Sequence, residues 1–362
     1  MPTPFSLPAA VRRLMPDVFT FAILCMVSLA SLLPVTGHAA VVFGDITALA
    51  IGLLFFLHGA KLSRAALFAG LTHWRLHLLV LVSTFVMFPL LGLATKPLAL
   101  WMLTPDLYLG ILFLCVLPST VQSSIAFTAV ARGNVPAAVC SATASNFLGI
   151  FLTPVLVGTL VLHGAVPAGH SALDAVWSIV EQLLLPFIAG QLLRPWIGAW
   201  IDRNKGTLKY VDQSSILLVV YTAFSASVAE GLWHSISAAT LLALALLSCL
   251  LLAVALGVST LVSRRLGFSR EDEVAIVFCG SKKSLASGIP MAKVLFAPTS
   301  LGMIILPLML FHQIQLMVCA VLAQRYAARA AAEAAEAGTP AAGSPAAGSP
   351  GAGSPAAASP SV

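Results

Sequence analysis

Two adjacent lysines lie inside an otherwise apolar stretch in the C-terminal third of the chain. Lys282 and Lys283 occur within the sequence Cys279-Gly-Ser-Lys-Lys-Ser-Leu-Ala-Ser-Gly-Ile-Pro290. A lysine at the centre of a membrane-spanning helix costs about 2.5–3.5 kcal/mol on insertion scales. Such a lysine can pair with a carboxylate or sulfate of a substrate, stand in for a coupling cation, or titrate. The pair therefore indicates a binding site at membrane depth.

The alternative is that both lysines extend to a membrane surface and leave only their aliphatic stems among the lipids. Neighbouring residues of a helix point about 100° apart, so at least one of the two should face the protein interior. Gly280 and Pro290 bracket the lysines and predict an unwound stretch between them, because proline removes an amide donor and glycine relieves the strain.

A second polar interruption lies in an earlier apolar stretch, at Leu117-Pro-Ser-Thr-Val-Gln-Ser-Ser124. In hydrocarbon such a break survives only where protein or a water-filled cavity satisfies the freed backbone groups. We therefore predict that the two interruptions meet and form a substrate or ion site. Its candidate residues are Pro118, Ser119, Gln122, Ser123, Ser124, Ser281, Lys282, Lys283, Ser284 and Ser287.

Further polar side chains occur at the depth of the interruptions. A lone hydroxyl can bond to the carbonyl one turn back along its own helix. An amide side chain needs several partners, so Asn146, Gln122 and Gln313 are harder to explain as ordinary helix residues. The supporting polar residues of the predicted site are Thr84, Thr143, Ser145, Asn146, His312 and Gln313.

The composition identifies the elements that must position these residues. Apolar types make up 59% of the 362 residues and charged types only 9%, against about 25% charged residues in an ordinary soluble domain. A soluble enzyme, a nucleic-acid binder and a disordered scaffold are excluded on this ground. The net charge of +6 does not indicate nucleic acid, because the basic residues are scattered and form no stripe.

The apolar stretches predict an all-α polytopic membrane protein, because a span needs about 20 mostly apolar residues. Ten candidate spans run near 17–35, 43–60, 76–95, 107–131, 135–162, 175–193, 213–233, 238–262, 274–297 and 301–323. The interruptions fall in the fourth and ninth spans. Each is therefore the fourth span of a group of five.

Because five is odd, the second group of five spans must enter the membrane with the opposite orientation. Matched broken helices in two inverted repeats indicate a transporter site at the midplane, and the alternative is two unrelated proline kinks. The predicted segments are a cytoplasmic N-terminus (1–16), a first five-helix repeat (17–162), a periplasmic connection (163–174), an inverted second five-helix repeat (175–323) and a disordered cytoplasmic tail (324–362).

Lysine and arginine predict the orientation. Of the 19, all but four fall at one set of span ends; Lys96 lies at the opposite set, and Lys282, Lys283 and Lys293 lie within the ninth span. The bias places both termini in the cytoplasm. The alternative is that the first span is a cleaved signal peptide, which would leave nine spans. The repeated Ala-Ala-Gly-Ser-Pro of the tail predicts disorder, while the Ala-rich residues 327–337 are able to extend the last helix.

The sequence resembles the bile acid:sodium symporter family, and within it the SBF-like branch, the bacterial relatives of the seventh member of solute carrier family ten. The resemblance covers roughly residues 12–325. It is carried by 278–291, by 117–134, which ends in Ala-Arg-Gly-Asn, and by 71–75. It implies two inverted five-helix repeats in which helices four and nine break and cross. It also implies a core of helices three to five and eight to ten that moves against a panel of the other four.

The resemblance also implies sodium ions behind the crossover. A sodium ion, if one binds, would lie near Ser123, Ser124, Thr143 and Asn146, with Ser145 on the same helix and Thr84 at the position of a third-helix Gln. The family's acidic position on the ninth helix falls near Ser281, where this chain has no carboxylate. A hard cation prefers oxygen ligands and negative charge, so the coupling ion stays open.

The resemblance implies a secondary active transporter in the bacterial inner membrane that moves a small organic anion, coupled to sodium. One alternative is sodium-independent transport in which a lysine replaces the coupling cation, and another is a non-transporting membrane regulator of ion homeostasis. We expect no enzyme and no cofactor other than Na⁺, because the chain contains no HExxH, no Ser–His–Asp arrangement and no phosphate-binding Gly loop. The substrate, the direction of transport and the oligomeric state are not specified by the sequence.

Overall fold

The computed structural model describes residues 18–61, 73–161, 180–229, 231–296 and 300–336, and every regular element in these ranges is a helix. The helices are α1 (Val18–Leu32), α2 (Gly37–Lys61), α3 (Trp74–Ala94), α4 (Lys96–Met102), α5 (Pro105–Val116), α6 (Gln122–Val130), α7 (Val135–Val161), α8 (Leu185–Arg203), α9 (Lys205–Ala229), α10 (Leu232–Ser235), α11 (Ala238–Arg265), α12 (Arg270–Gly280), α13 (Leu285–Leu295) and α14 (Leu301–Glu336). A π-helical segment, Ser83–Met87, interrupts α3.

Within the described residues, six helices are long and apolar enough to cross a membrane: α2, α3, α7, α9, α11 and α14. Only 28–50% of their most apolar windows is buried inside the protein, so a large part of their apolar surface faces outward. This is the surface expected to contact lipid, and it confirms a polytopic helical membrane protein. The predicted fourth and ninth spans are each divided into two shorter helices, α5 with α6 and α12 with α13.

The helices pack in two groups. In the first group α2 packs along α8, and α9 packs against α1 and α2. Gly59 faces the carbonyl of Phe187 and Gly190 faces the carbonyl of Phe56, and a Cβ on either glycine would overlap that backbone. Small residues at such contacts let helix axes approach closely. The second group contains α3, α5, α6, α7 and α11–α14, and the two groups meet where α9 packs against α13 and α14.

The unwound stretch of the ninth span is shorter than the sequence predicts. Residues 281–284 are non-helical, but α13 begins at Leu285, so Pro290 lies inside this helix instead of bounding the break. The cause is local capping: the hydroxyl of Ser284 accepts a hydrogen bond from the amide of Ser287 (3.2 Å), which satisfies one of the free amides at the helix start. In the fourth span, residues 117–121 are non-helical.

The last helix is longer than the predicted tenth span. α14 continues to Glu336, as the Ala-rich residues 327–337 allow, so the predicted disordered tail cannot begin at residue 324. Arg270, the first residue of α12, binds this extension: its guanidinium donates to the carbonyl of Tyr326 (2.8 Å) and to the carboxylate of Glu333 (3.1 Å). Residues 1–16, 163–174 and 337–362 lie outside the described residues.

Candidate functional site

The two breaks contact each other directly through their backbones. The amide of Ser284 donates to the carbonyl of Pro118 (2.9 Å). The hydroxyl of Ser119, which is fully buried, donates to the carbonyl of Cys279 (2.5 Å). Each break thus supplies hydrogen-bond partners that the other lost when its helix was interrupted. This is the arrangement that buried, non-helical backbone requires in a membrane.

α7 braces this crossover from one side. The side-chain amide of Asn146 donates to the carbonyl of Ser119 (2.6 Å), and its oxygen accepts a hydrogen bond from the hydroxyl of Ser287 (3.0 Å). The hydroxyl of Ser145 accepts from the amide of Ser119 (3.0 Å). Asn146 therefore ties the fourth-span break to α13 through one side chain, as an amide with both donors and acceptors can.

Lys283 lies behind the crossover, fully buried. Its ammonium group donates three hydrogen bonds, each 2.8 Å long, to the carbonyls of Thr84, Cys115 and Leu117. It also lies 4.3 Å from the ring centroid of Phe88, in a cation–π arrangement. An ammonium has three donors and no acceptor, so this set of carbonyls satisfies it completely.

The carbonyl of Thr84 is available to Lys283 because of the π-helical segment in α3. The amide of Phe88 bonds to the carbonyl of Ser83 instead of to that of Thr84. The next amide along the chain would belong to residue 89, but Pro89 has none. The carbonyl of Thr84 thus has no backbone donor from its own helix, while its hydroxyl bonds back to Val80 (2.8 Å).

The other two carbonyls are freed by the fourth-span break. The carbonyl of Cys115 would accept from the amide of Ser119 in a continuous helix, but that amide bonds to Ser145. Leu117 is the first non-helical residue after α5. Two irregularities in different helices, the π-helical segment of α3 and the fourth-span break, therefore direct three unpaired carbonyls at one point, and the Lys283 ammonium occupies it.

Lys282 is also fully buried, but its ammonium has weaker partners. It lies 3.4 Å from the hydroxyl of Ser123, and 4.5 Å and 5.5 Å from the ring centroids of Phe127 and Phe278. Neither lysine reaches a membrane surface. The alternative in which both extend to the surface is therefore wrong.

A cavity of about 730 Å³ lies between the two groups of helices, with α1, α2, α8 and α9 on one side and α6, α7, α13 and α14 on the other. Its volume is in the range of small-molecule sites. Of the predicted site residues, its wall contains Gln122, Ser123, Thr143, Asn146, Ser284, Ser287, His312 and Gln313. The others form the crossover or lie behind it and do not line the cavity: Thr84, Pro118, Ser119, Ser124, Ser145, Ser281, Lys282 and Lys283.

The first turns of two helices line the same cavity. α6 begins at Gln122 and α13 at Leu285, and both residues are part of the wall. A helix N-terminus carries a partial positive charge and unpaired amides. The crossover end of the cavity is therefore suited to an anionic or strongly polar group.

The residues at the predicted sodium position do not fit a bound cation. The hydroxyls of Ser123 and Ser124 both hydrogen-bond to that of Thr120 (2.7 and 3.0 Å), and Ser124 lies 2.9 Å from the carbonyl of Phe278. The ammonium of Lys282 lies 3.4 Å from Ser123 and repels a second cation. Among the described residues no cluster of three or more His, Cys, Asp or Glu side chains could hold a metal ion.

The sequence reasoning missed the opposite wall of the cavity, which carries aromatic and charged side chains of α1, α2, α8 and α9. Lys61 at the end of α2 and Asp212 on α9 form a direct ion pair in this wall. In the sequence, Lys61 and Lys209 indicate only the cytoplasmic ends of spans. The sequence contains one signal for this pair: two opposite charges adjoin predicted spans, Asp212 the seventh and Lys61 the second.

Comparison with known proteins gives consistent matches. The model of the SBF-like CPA transporter family matches residues 17–328. The chain is 66% identical to "Uncharacterized protein PA2026" of Pseudomonas aeruginosa over 90% of this chain and 98% of that protein. It is 56% identical to "Putative symporter YfeH" of Escherichia coli K12 (86% and 92% covered), and 31% identical to sodium/bile acid cotransporter 7 of Rattus norvegicus (76% and 81% covered).

Proposed function

The chain belongs to the SBF-like CPA transporter family, and on that premise we propose that it moves a small organic anion across the inner membrane of a bacterium. The observation that carries the proposal is the cavity between the two helix groups, into which the first turns of α6 and α13 open. Two helix N-termini at one end of a small-molecule cavity favour an anionic substrate.

We further propose ten spans in two inverted repeats, with α5–α6 as the fourth span and α12–α13 as the ninth. The core is then α3, α5–α7 and α11–α14, and the panel is α1, α2, α8 and α9. The crossover lies in the core, whereas the cavity lies between core and panel. A movement of core against panel would open this cavity to one side of the membrane at a time.

The proposed topology is testable with reporter fusions. Fusions after positions 38, 168 and 298 should report the periplasm, and a fusion after position 205 should report the cytoplasm, because the lysines and arginines cluster on that side. Measurement of alkaline phosphatase and fluorescent-protein activity at the same positions gives complementary readouts. A periplasmic signal at position 205 would contradict the assignment and the inverted repeat with it.

For the coupling ion, the geometry favours sodium-independent transport, with Lys283 in the place of a cation. The three carbonyls around its ammonium form an oxygen cage of the kind that binds a cation. A tethered ammonium would make a free sodium ion unnecessary there. Sodium-coupled symport is the second candidate, and it is favoured by the name of the rat relative, a sodium/bile acid cotransporter.

The test is an uptake screen with the purified protein in proteoliposomes, over a panel of labelled organic anions, with and without an imposed sodium gradient. We expect uptake of at least one anion at the same rate in sodium and in choline medium. Uptake that requires sodium would favour the second candidate. No uptake of any anion would contradict transport and favour a non-transporting regulator of ion homeostasis.

A further inference from the structure

The ammonium groups that face the cavity do not belong to the two crossover lysines. Lys282 and Lys283 are fully buried behind it and are not part of the wall. Among the described wall residues the ammonium groups belong to Lys61 and Lys209. Lys61 is the more sheltered, because its side chain is only 26% exposed, whereas Lys209 is exposed. The strongest counter-charge for a substrate anion is therefore Lys61.

Lys61 is already engaged by Asp212, the only carboxylate among the described residues that line the cavity. One of the two carboxylate oxygens of Asp212 takes no part in this ion pair. Oxygen Oδ2 of Asp212 accepts from the Lys61 ammonium, but Oδ1 is buried and has no hydrogen-bond partner. A buried acceptor without a donor is costly. The pair is thus less stable than a fully satisfied ion pair.

The other titratable and charged groups near the pair lie on α2, α8, α9 and α14, and His58 on α2 interacts electrostatically with both Asp212 and Lys61. On α2, the ring Nδ1–H of His58 donates to the carbonyl of Leu54 (2.8 Å). On α14, His312 bonds to the amide of Gln315 (2.8 Å). The other charged groups nearby are Lys209 on α9, which lines the cavity, and Arg194 on α8, which donates to the Ala60 carbonyl and pairs with Asp202; α1 carries no charged residue.

We propose that the Lys61–Asp212 pair is the site where the substrate anion and a proton are exchanged. The proposal rests on the function proposed above. The anionic group of the substrate takes the place of the Asp212 carboxylate on the Lys61 ammonium. Asp212, left without its cation, is then neutralised by a proton, because an unpaired charge that is largely withdrawn from water is costly to keep.

The exchange balances in charge and atoms. One ionic contact to Lys61 breaks and another forms, and the only covalent change is an O–H bond formed on Asp212 with a proton taken up from the aqueous solution. When the substrate leaves, the proton returns to water and the ion pair with Lys61 re-forms. A monovalent anion therefore moves together with one proton and without net charge. Such coupling needs no sodium site at the crossover.

The test measures binding and proton uptake together, with the full chain in lipid nanodiscs. The probes are tritiated taurocholate, a large sulfonate, and carbon-14 benzoate, a small carboxylate. For the wild-type protein we expect the dissociation constant to rise with increasing pH, because each anion that binds brings one proton with it. A pH indicator in weak buffer should record one proton taken up per anion bound.

Two variants and one control separate this role from a purely structural one. Asp212→Asn should bind the probe at least as tightly as the wild type, with no dependence on pH and no proton uptake, since Lys61 is then permanently free. Lys61→Ala should weaken binding at least tenfold. Lys205→Ala is the matched control, because Lys205, at the exposed start of α9, also pairs with an aspartate, Asp202 (2.9 Å). This variant should bind the probe and take up protons like the wild type.

The outcomes distinguish the two proposals. If the wild type binds neither probe, the anion cavity itself is contradicted, and the exchange site with it. If the wild type binds a probe but Asp212→Asn keeps the same pH dependence and proton uptake, the exchange site is wrong while anion binding stands. Because Asp212→Asn is nearly isosteric, the test does not depend on whether Lys61→Ala folds.

Discussion

Replacing Lys283 with alanine should cause the largest loss of stability of any single change at the crossover. The substitution removes an ammonium that donates to three buried carbonyls, those of Thr84, Cys115 and Leu117. Each buried carbonyl left without a donor costs about 1–3 kcal/mol. We expect a loss of about 3 kcal/mol or more in the free energy of unfolding, measured by thermal denaturation of the purified protein in detergent.

Lys293→Ala is the matched control, because Lys293 is a half-buried lysine of α13 that lies outside the cage. It should change the melting temperature little. Sodium gives a second readout, since an ion that binds the folded state must stabilise it. Exchange of choline chloride for sodium chloride should leave wild-type Tm unchanged but raise that of Lys283→Ala, whose cage is vacant. If sodium stabilises the wild type as much as the variant, Lys283 does not take a cation's place.

Replacing Asn146 with leucine should nearly abolish transport while leaving a folded protein. The side chain joins the carbonyl of Ser119 to the hydroxyl of Ser287 and lines the cavity. The two hydrogen bonds that join these groups, at about 1–1.5 kcal/mol each, correspond to a factor of about 30 to 140. We expect the initial rate of anion uptake in proteoliposomes to fall by that factor.

An asparagine elsewhere serves as the control for this change. The side-chain amide of Asn204 donates to the carbonyl of Trp200 (2.8 Å), in the exposed turn between α8 and α9. Asn204→Leu should leave the uptake rate within a factor of about two of wild type, because an exposed hydrogen bond contributes little beyond its exchange with water. An unchanged rate in Asn146→Leu would show that the tie between the break and α13 is not needed for transport.

The membrane class and the position of both breaks could be predicted from the sequence because their causes are local. Pro118 removes an amide within its own segment, and a long apolar run needs no partner to be recognised. The length of the second break did not follow from local sequence in the same way. Pro290 indicated unwinding as far as its own position, but the hydroxyl of Ser284 caps α13 and ends the break five residues earlier.

A helical membrane protein with two polar interruptions, the second of which contains two lysines, follows from the residue types and their order along the chain. The partners of those lysines are visible only in the folded protein. The carbonyls that hold Lys283 come from Thr84, Cys115 and Leu117, more than 160 residues away along the chain. Likewise Lys61 and Asp212 are 151 residues apart. The physical reason is that partners of a buried charge are chosen by proximity in space, and residue types along the chain do not encode that proximity.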